Sequence, residues 1–537
     1  MGKSAGMSLC DLLEKDDYIL LNGDERINVH AICYDTRDMS AESVYVCIKG
    51  EHYNGHDLIR EAIYKGAVAV VVEENIQKSY GEITIIKVNS TRHALAKMSA
   101  KFFDYPACDM IMIGITGTKG KTTTGYMIKS LLEASGICVG IIGSIEIAYK
   151  DVSIHNDNTT PESYILHKTL AHMRSLGIEA VVMEVSSQAL KLGRVEGIEF
   201  DYGVYTNLSK DHIGPTEHKD MDEYMKCKAK LFGQCRCAVI NQDDSCSEYM
   251  IEEANRSDVL AKIICYGTEV VNKFETEYVF AENVCATENM PGMKYKLKNN
   301  QSATLDKKLN CDITIRLPGF FSVYNSLAAV AVWDDIMSDK KMELSNDRYR
   351  VMANVLESFS VQGRTELMES VFGYRVMVDY AHNEMSLKSV LVTMRQYTEK
   401  KLICIFGCGG NRSKERRYKM GEVSAEYADV TVITDDNPRY EASMDIISDI
   451  ETGILRVLDK SDCISFMDEL SCGKYIIRSD RQKAIQNTLS KAEKGDMIII
   501  AGKGHENYQE ILGIRYPLND MEIVKEIIRL EKSEYYR

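Results

Sequence analysis

Gly117-Thr118-Lys119-Gly120-Lys121-Thr122-Thr123 follows directly on the apolar run Met110–Ile115. This order predicts a buried strand, a glycine-rich turn and a helix opening at Thr122. Such a turn aims several backbone N–H groups, together with the positive end of the helix dipole, at one spot. Lys121 adds a point charge for outer phosphates, and the Thr122 hydroxyl is placed to ligate Mg²⁺. The chemistry is that of a nucleoside triphosphate site. The spacing is irregular, because Ile115 stands five residues before Gly120 and the nearest glycine is Gly114. Gly120-Lys121-Thr122 nevertheless keeps the order that phosphate binding needs. The competing reading is a tight strand-to-helix turn that happens to be rich in glycine.

Further polar groups stand at the ends of other apolar runs, where open α/β sheets place their ligands. Glu184 closes Val181-Val182-Met183 and could hold a Mg²⁺ bridging phosphates, or cap the next helix. His212, in Thr206-Asn207-Leu208-Ser209-Lys210-Asp211-His212, is a candidate second metal ligand, although a lone histidine is more often structural. Asp379, in Asp379-Tyr380-Ala381-His382-Asn383, has the placement of an acid that holds a ribose hydroxyl, or of a cap for a helix beginning near Glu384. Asp435-Asp436-Asn437-Pro438-Arg439 is a turn whose guanidinium could grip a carboxylate bidentately. Arg412-Ser413-Lys414-Glu415-Arg416-Arg417 by itself reads as a solvated helix face. Gly502-Lys503-Gly504-His505-Glu506 resembles a second phosphate loop without the following Lys-Thr pair.

The elements that must position these groups alternate along the whole chain. Val44–Ile48, Ala67–Val72 and Ile83–Val88 read as strands, and Leu58–Tyr64 and Arg92–Phe103 as helices, up to a break at Tyr105-Pro106. Strands Met110–Ile115, Cys138–Ile142, Ala180–Val185 and Ala238–Ile240 follow, interleaved with helical stretches, as a mainly parallel sheet requires. The polar stretch 267–312 reads as an antiparallel excursion or insertion, and Asn325–Trp333 as an apolar helix. A last alternation runs through Arg375–Asp379, Leu402–Gly407, Val430–Thr434, Tyr475–Arg478 and Met497–Ala501. The fold class expected is α/β in three domains: 1–107, smaller and N-terminal; 108–357, a central mainly parallel sheet of phosphate-loop type; and 358–537, Rossmann-like.

At 537 residues the chain is too long for one core. Its net charge of -15 argues against nucleic acid or an anionic membrane as partner. No apolar stretch approaches the ~20 residues that span a bilayer, no apolar signal core opens the sequence, and Gly6 stands where myristoylation needs Ser or Thr. The 16 cysteines include no Cys-x-x-Cys pair and read as reduced core residues of a cytoplasmic protein.

Taken in order, these motifs resemble the Mur ligase family over nearly the whole chain. The matching run is Thr116–Thr122, Asn158-Thr159-Thr160-Pro161, Glu184-Val185-Ser186-Ser187, Thr206-Asn207-Leu208-Ser209, Lys228-Ala229-Lys230-Leu231-Phe232, Gly363-Arg364, Asp379-Tyr380-Ala381-His382 and Asp436-Asn437-Pro438-Arg439. The resemblance implies a cytoplasmic step of peptidoglycan synthesis. ATP phosphorylates the D-glutamate carboxylate of UDP-N-acetylmuramoyl-L-alanyl-D-glutamate, and the amine of an incoming amino acid then displaces phosphate. It further implies that Gly117 to Thr123 bind ATP, with Lys121 on the β/γ-phosphates, and that Thr122 and Glu184 serve one Mg²⁺ and His212 a second. Lys228 falls where this family carries a carbamylated lysine that serves as a metal ligand; otherwise it is a surface lysine on a helix Glu223–Phe232. Asn325, Arg364 and Asp379 resemble the residues around adenine and ribose. Thr36 and Arg37 stand in the place of a Ser-Arg pair in a UDP-binding module, and Asn158, Thr159, Thr160, Ser187 and Arg194 resemble contacts to the muramoyl-peptide. Arg412, Asp436, Asn437, Arg439, Gly502 and Glu506 resemble the amino-acid site in the version accepting meso-diaminopimelate, with Arg439 for its second carboxylate and Glu506 for its second ammonium. The partners implied are small molecules, and the expected state is a monomer.

Three segments depart from the family pattern: Asn383-Glu384-Met385 where a proline is usual, His212–His218, and Ser322 where asparagine is frequent. A divergent member is one reading of these. The alternatives to a diaminopimelate ligase are the same ligation with L-lysine or another diamine, a folylpolyglutamate-type amide ligase, and an ATP-binding protein without catalysis. The folylpolyglutamate reading leaves the N-terminal domain and Arg439 without a role, and a non-catalytic protein is expected to lose Lys121, Glu184 or Lys228, all of which are present.

Overall fold

The computed structural model describes residues 6–14, 17–50, 53–76, 80–156, 158–211, 213–214, 217–270, 272–288, 290–300, 310–339, 346–464, 470 and 473–535. The chain gathers into two compact units. One comprises residues 1–280, 298–309 and 324–345; the other comprises 281–297, 310–323 and 346–537. His212 lies outside the described residues.

Besides the short pair Met7–Ser8 with Asn28–Val29, the first unit contains two main sheets. The smaller has the order Tyr18–Asn22, Thr84–Val88, Ala67–Val72, Ser43–Val46, Ala31–Cys33, with only the first strand antiparallel. In the larger, the phosphate-loop strand Ile111–Thr116 is flanked in parallel by Ala180–Glu184 and Phe200–Tyr205. Register pairs Ile115 with Glu184 and Thr116 with Tyr205. The three strand ends that carry Gly117, Glu184 and Thr206 therefore open at the same edge, as the crevice rule for parallel sheets expects. The polar stretch read as an excursion contains the strands Glu277–Ala286, Met293–Asn299 and Asn310–Ile315.

The second unit is built on a six-stranded sheet of order Glu366–Glu369, Arg375–Asp379, Met497–Ala501, Leu402–Phe406, Val430–Ile433, Lys474–Ile477, parallel except for its first strand. Its strands are apolar on both faces because helices cover both, and side chains alternate between two cores with period 2. Leu402, Cys404 and Phe406 enter one core with Leu387, Leu391 and Ile450. Ile403 and Ile405 enter the other with Ala484, Ile485 and Val524. The smaller sheet of the first unit divides in the same way, with Val44 and Val46 on one side and Tyr45 and Cys47 on the other.

Candidate active site

The phosphate loop takes its shape from two glycines. Gly117 (φ +152°) and Gly120 (φ +86°) occupy backbone conformations that side chains disfavour. A Cβ on Gly117 would stand 1.9 Å from Thr206 Oγ1, and one on Gly120 2.4 Å from Asn325 Oδ1. Gly114 lies inside the strand, where a Cβ would press on Phe200 and Leu231. It is a packing glycine, which explains the irregular spacing of the motif. Thr206 and Asn207 brace the loop from the adjoining strand end. Thr206 Oγ1 donates to the Lys119 carbonyl (2.7 Å), and the Lys119 N–H donates to Asn207 Oδ1 (3.0 Å). Thr118 Oγ1 accepts from the Ser209 N–H (3.0 Å), and Thr124 Oγ1 donates to Asn325 Oδ1 (3.3 Å). Lys121 Nζ folds over the loop onto the carbonyls of Gly117 (2.8 Å) and Thr118 (3.3 Å). Thr123 lies half-buried in the first turn of helix Lys121–Ala134.

Glu184 is buried and does not cap a helix; Ser186 caps helix Ser187–Lys191. Its Oε1 accepts from Thr122 Oγ1 (2.9 Å) and the Ser144 N–H (2.9 Å), and its Oε2 from Ser144 Oγ (3.2 Å). Thr122 and Glu184 thus form a pair of hard oxygen donors, the donor type that suits Mg²⁺. Among the described residues no group of three or more His, Cys, Asp or Glu forms a metal cluster. Two protein oxygens beside a phosphate loop match a metal that keeps waters and phosphate oxygens as its other ligands.

The residues assigned to the muramoyl-peptide converge next to this pair. Thr159 Oγ1 lies 2.9 Å from Ser144 Oγ, Thr160 Oγ1 donates to the Glu184 carbonyl (2.9 Å), and Arg194 donates to the Thr160 carbonyl (3.0 Å) while pairing with Glu162 (2.8 Å). Asn158 is exposed. Ser187 Oγ lies 2.9 Å from Nε2 of His218, a fully buried ring tilted against Tyr224. Sequence reading missed His218, because it sits in a polar stretch with no apolar periodicity to mark it as interior. Thr36 is buried in the 3-10 turn Thr36–Asp38, whereas Arg37 is exposed and bonded to Asp35.

Lys228 is not a surface lysine. Its helix runs Met221–Ala229 and continues as the 3-10 turn Lys230–Gln234, turning Lys228 inward. The side chain is 1% exposed, lies over the Tyr224 ring (4.3 Å) and donates to the Gly117 carbonyl (2.9 Å). Burial, and then the charge of Lys121, push its ammonium well below the ordinary lysine range. A neutral amine is the form that adds to CO₂.

In the second unit Asp379 does not cap the helix Glu384–Arg395; Asn383 does so through the Ser386 N–H. Asp379 instead accepts from the N–H groups of Thr365 (2.8 Å) and Ala381 (2.8 Å). Arg364 lies over the Tyr380 ring (4.4 Å). The 502–506 loop is no phosphate loop, because Lys503 is fully buried and faces Glu506 (3.0 Å), Asn437 (3.1 Å) and Asp436 (3.7 Å). Burial pushes the Asp436 carboxyl up, against the opposing effect of Lys503. Gly502 (φ +111°) would place a Cβ 3.1 Å from Asp436. Arg439 (φ +53°) donates to the Gly410 carbonyl (2.7 Å) and lies 3.7 Å from Glu510, and exposed Arg412 stands on the same loop as Gly410. Asp436, Asn437, Arg439, Gly502 and Glu506 are therefore gathered in one cluster of contacts, joined by Glu510 and by Lys503, which the sequence offers only as part of a run resembling a phosphate loop.

A phosphate loop on a parallel sheet, a Thr–acid pair beside it and a buried lysine behind it define an ATP-dependent ligase class, and the chain belongs to the Mur ligase family. The Mur ligase middle domain matches residues 115–333, the glutamate ligase domain 363–504, and the Mur ligase family catalytic domain 28–103. The chain is 37% identical over 523 residues (97% of this chain, 99% of the relative) to a UDP-N-acetylmuramoyl-L-alanyl-D-glutamate–2,6-diaminopimelate ligase of Caldanaerobacter subterraneus. It is 35% identical to the Clostridium perfringens protein of the same name, over 97% of this chain and 99% of that one. A solved ligase of that name superposes with a TM-score of 0.64 at 24% identity, covering 98% of this chain and 99% of that one. The MurF ligase of Thermotoga maritima in complex with ADP shares the fold (TM-score 0.54, 16% identity, 94% and 98% covered).

Proposed function

We propose that the chain is the ATP-dependent ligase that joins meso-diaminopimelate to the D-glutamate carboxylate of UDP-N-acetylmuramoyl-L-alanyl-D-glutamate, in cytoplasmic peptidoglycan precursor synthesis. The observation that carries the reaction class is Lys228, deeply buried and bonded to the phosphate loop, with Thr122–Glu184 beside the same loop. Three modules, bounded near residues 107 and 357, fit the task.

The chemistry follows from the poor electrophilicity of a carboxylate at neutral pH. The D-glutamate oxygen attacks the γ-phosphorus, ADP leaves, and the resulting acyl phosphate carries a good leaving group. The amine then attacks the acyl carbon, loses a proton, and expels inorganic phosphate. Backbone N–H groups at the start of helix Lys121–Ala134 and the Lys121 ammonium hold the polyphosphate in line, so catalysis rests on positioning and charge neutralisation. Thr122 and Glu184 would hold Mg²⁺, which shields the phosphate charge from the attacking carboxylate. Lys228, as its carbamate, would add an anionic oxygen ligand, and His212 would offer an imidazole nitrogen to a second Mg²⁺. Thr36, Arg37, Asn158, Thr159, Thr160, Ser187 and Arg194 are assigned to the UDP-muramoyl dipeptide. Asn325, Arg364 and Asp379 are assigned to the adenosine end of ATP, although Asn325 here supports the phosphate loop. Arg412, Asp436, Asn437, Arg439, Gly502 and Glu506 are assigned to the incoming amino acid.

Phosphate release and product mass, measured with the UDP-muramoyl dipeptide and a panel of meso-diaminopimelate, L-lysine, L-ornithine and D-lysine, test this reading. It predicts a tripeptide product with meso-diaminopimelate at the highest kcat/KM. Preference for L-lysine would overturn the acceptor assignment and leave the ligase chemistry standing.

A further inference from the structure

Lys503 is a fully buried cation that the reaction just described does not use. An ammonium taken out of water is costly unless acids and acceptors surround it, so its partners show what it does. Nζ donates to Glu506 Oε2 (3.0 Å) and to Asn437 Oδ1 (3.1 Å), and Asp436 Oδ1 lies 3.7 Å away. Asn437 is held at both ends of its amide: Oδ1 also accepts from the Glu510 N–H (2.9 Å), while Nδ2 donates to Glu506 Oε2 (2.8 Å). Both bonds to Glu506 therefore fall on the same oxygen. Oε1 receives none from the described residues and is the oxygen left to meet a ligand.

We propose that Lys503 is a positioning residue of the amino-acid site, locking Glu506 Oε2 and Asn437 so that Glu506 Oε1 is presented to the distal ammonium of a diamino acid. The inference rests on the acceptor-site reading above. Lys503 also keeps the carboxylates of Asp436 and Glu506 together; without it, the buried Asp436 and the half-buried Glu506 repel each other and Glu506 swings away. The site then loses its grip on a second ammonium, while the phosphate loop of the other unit is untouched.

The test uses the full-length protein with saturating UDP-muramoyl dipeptide, ATP and Mg²⁺, varying meso-diaminopimelate and L-lysine. Lys503→Met removes the charge and keeps the aliphatic stem; Lys503→Gln retains a donor for Asn437 and is read in parallel. The expected result is a KM for the diamine raised about 10–100-fold, as for a lost charged hydrogen bond, with kcat within about threefold and the KM for ATP unchanged. In a Glu506→Gln background, Lys503→Met should add less than about twofold, since the two act as one unit. An unchanged diamine KM, equal rises for diamine and ATP, or additive effects would overturn the proposal. So would failure of both variants to fold, which assigns Lys503 to the scaffold alone. If the wild-type protein joins no diamine, the acceptor-site reading fails; if it joins one and the variants match it, only the role of Lys503 is lost.

Discussion

Lys228 Nζ and the Gly117 carbonyl lie 2.9 Å apart, so a buried lysine from helix Met221–Ala229 is bonded to the first glycine of the phosphate loop. The contact ties the loop that holds the triphosphate to the amine proposed for carbamylation. It also places two lysines on one carbonyl, since Lys121 donates to Gly117 as well. Two ammonium groups this close would disfavour each other, which together with burial drives Lys228 towards its neutral form, and conversion to an anionic carbamate would turn the repulsion into attraction.

Lys228→Ala should reduce ligation by at least about 100-fold, the scale of losing one preorganised electrostatic group. Added formate or acetate should restore part of the rate by supplying the missing carboxylate. Steady-state phosphate release checks both, and wild-type activity in the alanine variant would remove the carbamate assignment.

Gly120→Ala tests the loop geometry. A Cβ there meets Asn325 Oδ1 at 2.4 Å and must sit at φ +86°. Strain of this kind costs about 1–3 kcal/mol, which corresponds to about a 5–150-fold rise in the dissociation constant for ATP if the loop must distort to bind. Calorimetric titration with a non-hydrolysable ATP analogue measures it, and unchanged affinity would show that the glycine is not required.

Arg439→Ala addresses the acceptor. The guanidinium is placed by the Gly410 carbonyl and by Glu510, and a second substrate carboxylate is its natural partner. The KM for meso-diaminopimelate should rise about 10–100-fold with little change for ATP, and L-lysine, lacking that carboxylate, should be affected less. Equal effects on the two amines would reject this role.

A pH dependence of stability follows from Glu441. The buried Arg417 guanidinium donates to both Glu441 oxygens (2.8 Å each) and holds its carboxyl down at about 2, from an ordinary 4.5. The folded value lies below the unfolded one, so the stabilisation is complete above about pH 4.5 and fades as pH falls towards 2. Because Glu441 is partly exposed, solvent screening keeps the effect small. Melting curves of wild type and Glu441→Gln should differ most near neutrality and converge in acid; a gap that widens on acidification would contradict the assignment.

Much of this was legible in the residues themselves. Strands Ala67–Val72, Arg375–Asp379 and Met497–Ala501 have the predicted bounds, because long apolar runs between turn residues leave little choice. Lys121, Thr122 and Glu184 were visible because their chemistry demands a fixed order at strand ends. The burial of Lys228 was not, since a helix with lysines at positions 226, 228 and 230 looks solvated until its packing is known. His218 and Lys503 were hidden for a related reason: each is a polar side chain made interior by long-range partners, Ser187 for one and Asn437 with Glu506 for the other. The irregular glycine spacing has its reason in divided roles: Gly114 serves packing and Gly117 serves the turn.

The most direct test of the ligase account is isotopic. UDP-muramoyl dipeptide carrying ¹⁸O in the D-glutamate side-chain carboxylate is incubated with the protein, ATP, Mg²⁺ and meso-diaminopimelate, and both products are weighed by mass spectrometry. The acyl-phosphate route predicts a new amide-linked tripeptide and inorganic phosphate bearing one ¹⁸O from the carboxylate. Release of phosphate with no label and no tripeptide would contradict it.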